Sequence, residues 1–557
     1  MTAEVRTPSA IDDVAERWVD TLVDLSPVLA TYIGRNEAGG RLDDMSLEGQ
    51  ERSVAAARSA LAELEALEPT DRVDEVTKTD LSAELRLQIE LHDAQWHLRD
   101  LNVIASTPQD FRQAFDLMPT AQVEDWAVVA ERLAALPAAL RGYVETLREG
   151  IRQGVVPAHR QVSEVATQIA RYSADDGFFA TFAADAAPAE GQLPASLARE
   201  LADRAGAARL AYDELRSFLI AELAPAASEE DAVGRDLYAL NSRRFLGATI
   251  DLDETYEWGR EELARMIDEQ QAIADEILPG ATVEEAVAHL EADPARKLHG
   301  TEALQRWMQE TSDRAIAELG ASHFDIPEKI RALECMIAPT QEGGIYYTGP
   351  TDDFSRPGRM WWSVPAGVTE FDTWRELTTV YHEGVPGHHL QIAQATYNRA
   401  ELNTWRRVLA GTSGHAEGWA LYAERLMQQL GYLDDPADRL GMLDGQRMRA
   451  LRVVLDIGVH LGKPRLDGEG IWDHDYALEM MRQNVNMPDE FRRFEVNRYL
   501  GWPGQAPSYK VGQRIWEQVR AGVREREGDA FSFKDFHKRA LDIGGVGLDT
   551  LRTVLLG

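Results

Sequence analysis

The stretch Tyr381-His382-Glu383-Gly384-Val385-Pro386-Gly387-His388-His389 decides how this chain is read, because three of its 13 histidines fall within eight positions beside a carboxylate. Imidazole and carboxylate together are the ligand set of open, catalytic zinc sites. On a regular helix such a site takes two histidines four positions apart, which share a face, and leaves the glutamate after the first one free to act as a base. Here the position four after His382 is Pro386, which cannot ligate a metal and lacks the N–H that would bond to the His382 carbonyl. The spacing therefore predicts a helix that breaks or bulges just after Glu383. On a straight helix His388 would lie about 240° around from His382, and His389 within about 20° but about 10.5 Å along the axis. Two nitrogens each about 2 Å from one metal must be close neighbours, so neither arrangement works undistorted. Gly384, Pro386 and Gly387 supply the backbone for an inserted loop that could return either histidine.

The segment from Gly414 to Glu424 reads as the next helix, and Glu417 follows His389 by 28 residues, room for one helix, a turn and the start of a second. Glu417 is the expected third ligand. Glu424, seven positions on and on the same face, is expected to orient a ligand histidine from behind. Glu383, directly after a ligand histidine, is the expected general base. His415 points to a different face from Glu417 and is read as a capping or supporting group.

Four segments in order, H-E-G-V-P-G-H-H-L-Q (382–391), E-G-W-A-L-Y-A-E (417–424), R-V-V-L-D-I-G-V-H (452–460) and P-G-Q-A-P-S-Y-K-V-G (503–512), resemble the bacterial "domain of unknown function 885" family. Ser26-Pro27 before an alanine-rich helix and Gly344-Ile345-Tyr346-Tyr347 are similar to its weaker features, so the resemblance spans most of the chain. That family in turn resembles helical metallocarboxypeptidases of the Taq type and thimet-type oligopeptidases. The resemblance implies an all-α, two-lobed body around a deep cleft, with one zinc ion per chain or another divalent metal in its place. It favours His388 over His389 as the second ligand, because Gly387-His388 matches the Gly-His that ends the motif in relatives. It also implies a small sheet beside the metal, whose edge pairs with an extended substrate.

Composition agrees with a folded protein: 44% hydrophobic and 27% charged residues are ordinary for a globular chain. The net charge of −36 argues against nucleic acid and anionic membranes as partners, since both need clustered Lys and Arg. The N-terminal residues lack a basic and apolar leader, and no uncharged apolar run reaches membrane-spanning length. With a single cysteine, Cys335, read as core packing, the expectation is a cytoplasmic protein, either monomer or homodimer.

Apolar side chains at Ile11, Val14, Ala15, Trp18, Val19, Leu22 and Leu25 form a helical stripe that Ser26-Pro27 should stop, with Ser26 capping the next helix. Periodic Ala, Leu, Glu and Arg-rich stretches at 50–100, 121–172, 196–223 and 251–277 predict further helices, broken at 183–196 and 224–231. The expected organisation is an N-terminal helical lobe over 1–240 and a catalytic lobe over 241–557. Between 343 and 365, β-branched and aromatic residues bounded by Gly and Pro predict two short strands. Their aromatics, Tyr346 and Tyr347 among them, are read as either substrate contacts or packing.

Hydrolysis of this type also needs a donor for the developing oxyanion. Tyr509, in a Gly/Pro-rich segment, is the first choice, with Lys510, Arg498 and His460 as alternatives. Arg452 or Arg498 could clasp a substrate carboxylate, which would make the protein a carboxypeptidase. The function expected is thus a zinc-dependent peptidase acting on short peptides. The alternative is a catalytically silent relative that binds peptides or a small molecule in the same cleft.

Overall fold

Ser9 opens the first helix, Ala10–Leu25 (α1), with a reciprocal cap in which its hydroxyl accepts from the Asp12 N–H and the Asp12 carboxylate accepts from its own. Ser26 closes that helix and caps the next, Pro27–Tyr32, as the Ser-Pro pair predicts. This computed structural model describes residues 6–339 and 344–557, and helices dominate them. The fold is all-α with a small sheet, as expected.

In the first part of the chain Val123–Gln153 (α2) packs along Ala195–Phe218 (α3). Leu133, Leu136, Leu140 and Leu147 of α2 and Leu201, Tyr212 and Leu215 of α3 share one apolar cluster, drawn from residues 28–223. A larger cluster takes Val76 and side chains from residues 238–555. Within it Arg235–Leu246 (α4), Leu252–Ile277 (α5), Thr373–Glu383 (α6), His388–Tyr397 (α7), Ser413–Gln429 (α8), Pro436–His460 (α9) and Ser508–Glu527 (α10) surround the candidate site. A third cluster joins Ile11, Trp18, Leu81 and Leu85 to Trp405, so the early helices are stitched to a residue just before α8.

Two close approaches set the helices around the site. A Cβ on Gly512 of α10 would lie 2.2 Å from the Gly414 carbonyl oxygen of α8, and one on Gly418 would lie 2.4 Å from the Gly512 carbonyl carbon. Only glycines let α8 and α10 touch backbone to backbone. Likewise a Cβ on Gly259 of α5 would lie 2.8 Å from Val453 of α9.

The strands are Lys297–His299 (β1), Leu333–Ile337 (β2), Ile345–Thr348 (β3), Gly358–Trp362 (β4) and Glu370–Asp372 (β5). β1 and β5 pair antiparallel. The other three form a sheet of order β2-β4-β3, with β2 parallel and β3 antiparallel to β4, so β3 is an edge. β3 and β4 are the two strands expected; residue 343, the first of the region 343–365, lies outside the described residues. The third strand, β2, holds Cys335, which is buried with its sulfur 3.6 Å from the Ser312 hydroxyl.

Candidate metal centre

The helix carrying His382 stops where the sequence says it must. The Gly384 N–H still reaches the Val380 carbonyl at 2.9 Å, but the Gly387 N–H folds back to Tyr381 at 3.0 Å and the His389 N–H to Gly384 at 3.2 Å. A new helix, α7, then begins at His388. A Cβ on Gly387 would lie 1.9 Å from the His382 carbonyl oxygen, so no other residue fits this return. Trp419 of α8, fully buried, pins the loop by donating its indole N–H to the Pro386 and Gly387 carbonyls at 2.9 and 3.1 Å. The result is that the His382 and His388 rings stand 4.8 Å apart, nearly perpendicular.

Their Nε2 atoms lie 3.3 and 3.6 Å from one oxygen of Glu417, Oε2. Ligand atoms about 2.0–2.1 Å from a tetrahedral metal are about 3.3–3.4 Å from one another, so each imidazole nitrogen stands close to one ligand-to-ligand spacing from this oxygen. Glu383 joins the group, since one ligand atom from each of His382, Glu383 and His388 falls within 4.8 Å of the others. Glu383 Oε2 and Glu417 Oε2 are buried with no hydrogen-bond partner. Buried carboxylate oxygens left unpaired against two imidazole nitrogens fit a cation. These residues therefore fit a zinc-type ion chemically and in spacing.

The electrostatics follow from this crowding. Burial disfavours a charged His382, yet the Glu417 carboxylate beside its Nε2 and the hydrogen bond of its Nδ1 with Glu424 raise it to about 10. Burial likewise pushes Glu417 up, but His382 and His388 overcome it and hold the carboxyl well below its usual range. For Glu383 burial wins, raising the carboxyl against the pull of His388 and His382.

Behind His382 runs a chain of polar contacts. Its Nδ1 meets Glu424 Oε1 at 2.7 Å, and Glu424 Oε2 accepts from Gln446 at 3.1 Å. Gln446 in turn accepts from Lys510 at 2.7 Å, while the Lys510 ammonium also meets Glu262 at 3.0 Å. Glu424 thereby fixes which nitrogen His382 presents to the cluster. Lys510, expected near the substrate, is instead buried at the far end of this chain.

Other expected site residues are placed elsewhere. His389, the alternative ligand, has both ring nitrogens engaged, Nδ1 with the Tyr347 hydroxyl at 2.9 Å and Nε2 with the Ile330 carbonyl at 2.6 Å. It ties α7 to β3, and Tyr347 is spent in the same contact. Tyr346 is exposed and stacks on Trp361. His460 is corrected from an oxyanion donor to a buried packing residue: it accepts from the Val233 N–H at 3.4 Å, and its Nε2 meets the Tyr499 carbonyl at 3.3 Å. It also follows Gln446 by 14 positions on one helix, about 21 Å along the axis.

Arg452 and Arg498, expected to clasp a substrate carboxylate, share Glu495 at 2.8 and 3.1 Å. Arg452 also donates to the Tyr499 hydroxyl at 2.6 Å, and Arg498 to Gln505 at 2.8 Å. Tyr509 lies at the start of α10, close enough to Glu417 that this carboxylate, after burial, raises its phenol. Its ring centroid is 5.0 Å from the Arg452 guanidinium and 6.0 Å from that of Arg449. Arg449 went unnoticed in the sequence, where it is one of several arginines on a long helix.

The sequence pattern of the family described as "Bacterial protein of unknown function (DUF885)" matches residues 27–555. The chain belongs to this family. No curated protein matches the chain significantly. Among solved structures, a "putative lipoprotein" from Colwellia psychrerythraea is similar at a TM-score of 0.83 and 21% identity, covering 98% of each chain. A "putative lipoprotein of unknown function" from Shewanella oneidensis gives 0.76 at 18% identity over 99% of this chain and 100% of that one. At these identities the likeness shows the fold of this DUF885 chain. An M32 carboxypeptidase from Deinococcus radiodurans R1 is a distant likeness, 13% identical with a TM-score of 0.41 over 98% of this chain and 94% of that one. No helix among the described residues is long and apolar enough to cross a membrane.

Proposed function

We propose that this protein is a metal-dependent hydrolase of short peptides, with zinc as the first metal to test. One observation carries the reading: two imidazole Nε2 atoms, on His382 and His388, stand 3.3 and 3.6 Å from a single Glu417 oxygen, beside a buried Glu383 oxygen that has no partner. His382, His388 and Glu417 would hold the ion, which would supply Lewis acidity toward a substrate carbonyl and a water acidic enough to lose its proton near neutral pH.

Glu383 takes that proton. Burial raises its carboxyl, so it can accept the proton and then hand it to the departing amine. The Tyr509 hydroxyl, which makes no hydrogen bond among the described residues, donates to the developing oxyanion. The outer edge of β3 offers main-chain N–H and C=O groups to an extended peptide, an attachment that asks little of its side chains. The acidic chain with its one buried cysteine suits a reducing cytoplasm, and cell fractionation tests that location against the membrane attachment that the name lipoprotein gives the two similar proteins.

Digestion of a mixed peptide library by zinc-loaded protein, with product masses read out, tests the function. Products that vanish on chelation and return with zinc are expected. A zinc-loaded protein that binds peptides from the library and cleaves none would overturn hydrolysis in favour of the silent, peptide-binding alternative.

A further inference from the structure

Arg449 is the guanidinium beside the metal centre that the protein leaves without an anion. Its neighbours on and around α9 are all engaged: Arg452 and Arg498 with Glu495, and Arg447 with Asn484 and Gln270. Arg449 has no ion pair and no hydrogen bond among the described residues, and its Nε is buried without a partner. It is nonetheless close to the reacting groups. Its guanidinium carbon lies 6.0 Å from the Tyr509 ring centroid. Its charge also pulls on Glu383 and Glu424, after the stronger effects of burial and the histidines.

The backbone makes room for it. Gly445 sits one helical turn before Arg449, and a Cβ there would lie 2.6 Å from Nη1, so the side chain lies back over a glycine. A half-buried cation gains most from an anion that arrives without further desolvation, and a guanidinium fork matches a carboxylate in two parallel hydrogen bonds.

We propose that Arg449 binds the free carboxylate of the substrate, so that the enzyme acts on peptides whose C-terminal carboxylate lies close to the bond cleaved. This rests on the hydrolase reading above and adds the substrate class to it. Arg449 takes the anchoring role expected of Arg452 or Arg498, both of which already hold Glu495. The competing role for Arg449 is a counter-charge for the nearby carboxyls of Glu383, Glu424 and Asp444, which would affect metal affinity and not the choice of ligand.

Two matched pairs of probes separate these. The first, 3-phenylpropanoate and 3-phenylpropanamide, carries no peptide bond and is titrated calorimetrically into wild type and Arg449→Met, metal-free and zinc-loaded. The second is one peptide with a free or an amidated C-terminus, assayed for kcat and KM. We expect wild type to favour the acid by about tenfold or more in affinity and, through KM, in cleavage. Arg449→Met should lose that preference while keeping its zinc, and Arg449→Lys should recover part of it. Equal affinity of wild type for acid and amide overturns the proposal. A preference that persists in Arg449→Met overturns it as well, by assigning the carboxylate to the metal. Failure of wild type to cleave either peptide overturns the hydrolase reading instead, and the affinity pair then still decides whether Arg449 binds a carboxylate.

Discussion

Glu383 is buried beside two histidines and a second carboxylate, and its Oε2 has no partner. A carboxylate used only for structure would be expected to find a donor, whereas a base must keep a lone pair free. Glu383→Gln removes proton acceptance from a nearly isosteric side chain. Hydrolysis should fall about 10²- to 10⁴-fold with metal content unchanged, measured as kcat beside elemental analysis. Unaltered turnover would take Glu383 out of the mechanism. That His382, Glu383, Glu417 and Glu424 would gather was legible in the sequence because residue type and helical phase are local properties. The choice between His388 and His389 was not. It depends on the path of a four-residue loop and on Tyr347 and Ile330, which arrive from distant segments to occupy the other ring. Arg452 and Arg498 were misread for the same reason: their partner Glu495 comes from the separate helix Asp489–Gly501.

The break between α6 and α7 was readable because Pro386 forbids the helical hydrogen bond there, a constraint that needs no tertiary context. The strand β2 was hidden, since Leu-Glu-Cys-Met-Ile has no clear alternation and pairs in parallel with a strand more than twenty residues away. The loop itself can be tested at Gly387. Its Cβ would collide with the His382 carbonyl oxygen at 1.9 Å, so Gly387→Ala should displace His388 and lose most metal affinity while overall helix content by circular dichroism stays the same. Full metal occupancy in a folded Gly387→Ala protein would mean that the turn does not build the site. A second element, α9, carries a buried acid with a pH signature. Asp456 accepts from the Tyr238 hydroxyl at 2.6 Å and the Gly504 N–H at 2.9 Å, yet burial outweighs both and raises it to about 7. His460, 3.9 Å away, is held neutral because burial lowers it to about 4. The fold therefore favours the neutral carboxyl of Asp456. That stability is fully present below the unfolded value near 4 and is lost as pH rises through about 7, on the order of 4 kcal/mol in all. Asp456→Asn cannot titrate, so its unfolding temperature should gain on wild type between pH 5 and pH 8. A constant gap across that range would contradict the assignment.

Over the whole molecule, three helices meet at the cluster only because long-range packing brings them there. α6 and α7 are locked by Trp419 of α8, and α8 is held against α10 by Gly414, Gly418 and Gly512. The glycines are plain in the sequence, but which helix each one faces is a property of the assembled body. A metal bound by side chains from three helices should bind the native state and not the unfolded chain, and so should stabilise the protein by about 4 kcal/mol when free metal is about a thousandfold above Kd. Metal stoichiometry decides whether these helices build a metal site, measured by elemental analysis of zinc-loaded protein after dialysis, in wild type and in the His382→Ala, Glu417→Ala double variant, with the unfolding temperature of each. One zinc per chain with a raised unfolding temperature in wild type, and neither in the folded double variant, is the predicted result. Wild type that retains no metal, or a double variant that retains one equivalent, would contradict it.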